Sequence, residues 1–99
     1  MSNPTFYIKE NSLVAKAAAF KLQSKSIAMV LGRTIHLHGT TKENFLANER
    51  WLKHELCHVK QFAEYGYVWF TMKYLWESLR VGYYNNKYEV EAREAEQLL

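Results

Sequence analysis

Trp51-Leu52-Lys53-His54-Glu55-Leu56-Cys57-His58-Val59-Lys60-Gln61-Phe62 holds an H-E-x-x-H pattern at positions 54–58. Leu52, Leu56, Val59, Phe62 and Ala63 recur at helical spacing, so the stretch reads as a helix from Glu49 to Tyr65, ended by Gly66, with the histidines at the margin of a buried face. Residues four apart on a helix stand one above the other, with Cβ atoms about 5–6 Å apart. The imidazoles of His54 and His58 can therefore reach one ion at about 2.0 Å, a geometry that suits zinc. Glu55 projects about 100° around the helix from His54. That is too far for a compact ligand set but well placed to touch a water held by the ion, so Glu55 is the candidate general base.

The 99-residue chain is expected to form one domain over residues 1–99. Its 48% apolar and 15% aromatic content is that of a globular protein, with no repeat or linker. The net charge of +3 comes from basic residues spread singly between Lys9 and Arg93, which gives no stripe for a nucleic acid. Cys57 is alone, so no internal disulfide forms. No signal peptide and no run of 18 apolar residues is visible, and cytoplasm is the expected location.

Outward from the motif helix, the flanking segments define an α+β chain. Upstream, Ile27–Leu31, Gly32-Arg33 and Thr34–His38 read as a β-hairpin, because Gly at the first loop position suits a type II′ turn. Ile35 and Leu37 point one way, and Thr34, His36 and His38 the other, as a half-buried strand requires. Thr40-x-x-Glu43 has capping-box form, and Asn48 is a second cap before the motif helix. Phe6-Tyr7-Ile8 is a short strand or arm. Asn11 or Ser12 caps an N-terminal helix running to about Ser24, with Leu13, Ala17 and Phe20 on its apolar side. Downstream, Tyr67–Val81 is an aromatic helix expected to serve the core, though its many aromatics also leave room for a partner surface. After a turn at Gly82–Asn86, Asn86 caps a last helix from Lys87 to about Leu98, with Tyr88, Ala92, Ala95 and Leu99 on its apolar side.

A catalytic zinc site keeps three protein ligands and one open position, so His54 and His58 need a third. Glu64 lies six residues past His58, about 240° around, and cannot supply it. The last helix offers Glu89, Glu91, Glu94 and Glu96; Glu94 points away, while spacing alone leaves Glu89 and Glu91 open, and Asn86-x-x-Glu89 also has capping-box form. Cys57 lies about 80° from the direction the histidines share and reads as a small buried hydrophobe.

His54-Glu55-Leu56-Cys57-His58-Val59-Lys60-Gln61, followed by Tyr88-Glu89-Val90-Glu91-Ala92-Arg93, resembles the gluzincin metallopeptidases. It is most similar to small bacterial domains that join H-E-L-x-H-V-x-Q to a downstream E-x-E-A. The resemblance implies a minimal zincin-like fold with Glu89 as the third ligand, and makes the hairpin the remnant of a substrate-binding sheet. Related members carry Asp where this chain has Arg93, which removes the expected carboxylate that would orient a ligating histidine.

These readings give a zinc-dependent peptidase: Zn2+ on His54, His58 and Glu89, Glu55 as general base, and a peptide or protein as substrate. An edge strand beside the site could align an extended peptide. Tyr83, Tyr84, Tyr88, His36 and His38 are candidates to stabilise an oxyanion. The alternative is a catalytically inactive, metal-stabilised interaction module. A partner protein or a second copy could complete the cleft in either case.

Overall fold

The computed structural model describes residues 5–98, so Leu99 and residues 1–4 lie outside the described residues. The elements run β1 (Tyr7–Lys9), α1 (Leu13–Leu22), β2 (Ile27–Leu31), β3 (Thr34–His38), α2 (Lys42–Ala47), α3 (Glu49–Tyr65), α4 (Tyr67–Asn85) and α5 (Lys87–Ala95), an α+β arrangement. The hairpin forms in the expected register, Ile27 opposite His38 and Leu31 opposite Thr34. The strand order is β1-β3-β2, with β1 parallel to the central β3, which leaves β2 as an edge. Gly39 closes the hairpin at φ 78°, where an added Cβ would lie 2.0 Å from the Lys25 carbonyl oxygen, so no larger residue fits there.

Alternation along β3 decides where the sheet faces the helices. Ile35 and Leu37 are fully buried and cluster with Phe45 of α2 and Val59 of α3. A second cluster of Phe62, Phe70 and Tyr88 joins α3 to α4 and α5. Held on both sides, α3 becomes the central helix, and its expected ends at Glu49 and Tyr65 are the observed ones. Its N-terminus is capped by Asn48, whose Oδ1 accepts from the Trp51 amide at 3.1 Å. Ala63 proves exposed, one position beyond the packed face.

Other elements depart from the sequence reading. Thr41 rather than Thr40 caps α2, its hydroxyl oxygen accepting from the Asn44 amide at 3.1 Å. Ser12 caps α1, which ends at Leu22 as Gln23 turns left-handed at φ 55°. The buried residues of α1 are Ala15 and Ala19, while Leu13 and Phe20 are exposed. Small side chains let this helix lie close on the sheet, and the large ones project outward.

The aromatic helix departs most. Phe70 and Glu77 are the buried residues of α4, whereas Val68, Trp69, Met72, Leu75, Trp76 and Leu79 are all more than half exposed. Helix α4 packs against α3 and α5. Gly82, at φ 84° and ψ 165°, breaks it near the expected turn, and Asn86 starts α5 by accepting from the Tyr88 amide at 2.9 Å. Among the described residues, no helix is long and apolar enough to cross a membrane.

Candidate metal centre

Helix α3 sets the rings of His54 and His58 with centroids 5.1 Å apart. Helix α5 returns across it and places Glu89, 3% exposed, between the two imidazoles. His54 Nε2 lies 3.1 Å from Glu89 Oε1, and His58 Nε2 lies 3.1 Å from Glu89 Oε2. Ligand-type atoms of His54, His58 and Glu89 all fall within 4.8 Å of one another, so the three could hold one ion. Two imidazole nitrogens and a carboxylate oxygen, with no fourth protein ligand in the group, match the donor set and count of an open zinc site.

The junction of α4 and α5 fixes Glu89. Asn86 is fully buried, and its amide nitrogen donates to the Tyr74 carbonyl at 3.0 Å and to Ser78 Oγ at 2.8 Å. Buried Glu77 accepts from the Lys87 amide at 3.2 Å. Tyr74 then donates its hydroxyl to Glu89 Oε2 at 2.5 Å. Burial, reinforced by that bond to the Glu89 carboxylate, holds the Tyr74 hydroxyl well above its usual range and keeps it a donor.

The far side of each imidazole is also held. His54 Nδ1 meets Glu96 Oε2 at 2.7 Å, and His58 Nδ1 meets Gln61 Oε1 at 2.8 Å. Gln61 Nε2 in turn donates to the Tyr88 carbonyl at 3.1 Å and to Glu91 Oε1 at 2.9 Å. Burial alone would lower the pKa of His54, but its bonds to Glu89 and Glu96 outweigh this and bring it to about 9. His58 is raised against burial by its bond to Glu89. Glu89, which burial would raise, is instead held well below the carboxylate range by His54, His58 and Tyr74. The two imidazoles thus place positive charge around a buried carboxylate, the balance that an ion at the same point would satisfy.

Glu55, 5% exposed, opens into the same cleft, a space of about 900 Å³ between β2, α3 and α4. Burial raises its carboxyl to about 7, although the neighbouring imidazoles pull the other way. The edge strand β2 forms one wall of the cleft, and Phe62, Phe70 and Tyr83 lie beside the site.

The remaining residues singled out by sequence lie elsewhere. Glu91 faces Gln61 and Cys57 rather than the imidazoles. Cys57 is buried, and burial together with Glu91 pushes its thiol up to about 12, so it stays neutral. His36 bonds Ser12 Oγ through Nδ1 at 2.7 Å, and neither it nor His38 joins the ligand group. Of the oxyanion candidates, Tyr83 lines the cleft. Tyr88 is in the core and Tyr84 carries the Arg93 guanidinium on its ring at 4.2 Å. Glu89 is not a capping residue, since its carboxylate faces the imidazoles.

Three contacts at the site went unread in the sequence: those of Glu96 with His54, Gln61 with His58 and Tyr74 with Glu89. Glu96, the residue that caps the C-terminus of α5, supplies the orienting carboxylate that Arg93 cannot, and its spacing of seven residues from Glu89 puts the two on the same side. Gln61 likewise stands three residues past His58 on the same side of α3. No comparable spacing signal points to Tyr74, because its contact crosses from α4 to α5.

Compared with known families, the chain matches the eCIS core domain over residues 9–66, more than half its length. That span includes His54, Glu55 and His58 and ends before α4, so Glu89 lies beyond it. No curated protein and no solved structure matches the chain.

Proposed function

This chain belongs to the eCIS core domain family, a zincin-like domain related to the metallopeptidases, and from that premise we propose that it is a zinc-dependent peptidase of gluzincin type. One observation carries the reading: Nε2 of His54 and Nε2 of His58 converge at 3.1 Å on the single carboxylate of Glu89, beside a cleft into which Glu55 opens. His54, His58 and Glu89 would hold the ion. When bound, zinc lowers the pKa of a water from about 16 to about 7 and polarises the scissile carbonyl.

The remaining steps belong to the chain. The β2 edge, which lines the cleft, would align an extended peptide by backbone hydrogen bonds and so orient the scissile bond over the site. Glu55 takes a proton from the attacking water and passes it to the amine that leaves as the C–N bond breaks. Tyr83, on the cleft wall, would donate to the developing oxyanion. Glu55→Gln therefore keeps zinc and abolishes peptide cleavage. Undiminished cleavage by that variant overturns the mechanism.

The exposed apolar side of α4 favours a second reading, a metal-stabilised interaction module. It predicts that chelation lowers the melting temperature while the zinc-loaded protein cuts no member of a peptide library.

A further inference from the structure

The geometry points to Gln61 as a positioning residue, braced by Glu91, that sets which nitrogen of His58 faces Glu89; the inference rests on the reading of this site as a metal centre. Gln61 is 2% exposed, and every polar atom of its amide has a partner. Its nitrogen lies 3.1 Å from the Tyr88 carbonyl oxygen and 2.9 Å from Glu91 Oε1. Both oxygens accept from the amide nitrogen, so the amide cannot be reversed without setting oxygen against oxygen.

Its own oxygen must then face His58 Nδ1 at 2.8 Å, and that ring nitrogen must carry the hydrogen. In a neutral imidazole the lone pair is thereby left on Nε2, the atom 3.1 Å from Glu89 Oε2. The opposite tautomer would aim an N–H at the ion and a lone pair at the Gln61 oxygen. Glu91 acts one step further away, because the second acceptor it gives the amide nitrogen locks the orientation.

The strut also ties the ligand-bearing helices together. Gln61 and His58 are on α3, while Tyr88, Glu89 and Glu91 are on α5. One amide thus sets both the His58 tautomer and the approach of the helix that brings Glu89. Glu96 plays the corresponding part at His54 from a different position, so each imidazole is fixed by its own acceptor.

Two readouts test this on the full chain: Zn2+ affinity by competition with a chelator, and the ring-nitrogen NMR signals of His58 in the zinc-loaded protein. Gln61→Leu keeps the residue buried but removes the acceptor. It should weaken zinc binding about 10- to 100-fold and broaden or shift the Nδ1–H signal. Gln61→Glu sets two carboxylates against each other and should weaken binding similarly. Adding Glu91→Gln restores a donor at that contact, with the bond reversed in direction, while the Tyr88 carbonyl still faces an oxygen, and should recover part of the lost affinity.

The inference is overturned if Gln61→Leu binds zinc as tightly as the parent with the His58 signals unmoved. It is equally overturned if the Gln61→Glu, Glu91→Gln pair stays as weak as Gln61→Glu alone. That paired variant decides the matter should Gln61→Leu fail to fold. A parent protein that takes up no zinc overturns the metal reading itself, and this inference with it.

Discussion

Glu89 meets three demands at once, facing His54, His58 and the Tyr74 hydroxyl from a nearly buried position. Removing its charge removes a ligand, so Glu89→Gln should lower Zn2+ affinity by more than about 100-fold, beyond the loss of a partner that merely orients a ligand. Glu94→Gln, exposed on the same helix, should leave affinity unchanged in the same chelator competition. The charges around Glu89 also set a pH dependence for the metal-free protein. His54 rises from 6.5 to about 9 on folding, so its stabilising contribution is complete below pH 6.5 and lost as pH rises through about 9. Glu55, raised from 4.5 to about 7, also makes the folded chain bind more protons and acts in the same direction between those values. Glu89 has the opposite sign, but its contribution is lost only as pH falls below 4.5. With a chelator present, the melting temperature should therefore fall as pH rises from 6.5 to about 9. A melting temperature that climbs over that interval contradicts the assignment.

At the scale of elements, α3 and α4 differ in how much the sequence discloses. For α3, one apolar face, the Asn48 cap and Gly66 all mark the same boundaries, and the structure keeps them. For α4, apolar residues occur all round the helix, so periodicity cannot say which side is covered. Leu79 lies nine residues past Phe70, about 180° away, and the two have opposite fates: Phe70 is 2% exposed and Leu79 is 84% exposed. Phe70→Ala should cost about 3–5 kcal/mol. Leu79→Ser should change stability by less than about 0.5 kcal/mol. Denaturant unfolding of the two variants checks the pair, and a large loss for Leu79→Ser would mean that the outer side of α4 is covered in solution.

For the molecule as a whole, the site depends on both halves of the chain. The family match ends at Gly66, while Glu89, Glu96 and Tyr74 come from the two helices that follow. The local half was legible, because His54, Glu55 and His58 share one helix and their spacing alone specifies their geometry. The distant half was not: spacing left Glu89 and Glu91 equal, and the resemblance alone favoured Glu89. The structure separates them by the pitch of α5, which turns Glu89 to the imidazoles and Glu91 to Gln61. A 99-residue chain buries only about two thirds of its unfolded surface, so an ion joining α3 to α5 should add to stability as well as chemistry. The most direct test is anomalous scattering at the zinc edge from crystals of the protein as purified. The account predicts one peak within about 2.0–2.2 Å of His54 Nε2, His58 Nε2 and a Glu89 carboxylate oxygen. A zinc peak bound elsewhere, or coordinated by Glu91 in place of Glu89, would contradict it.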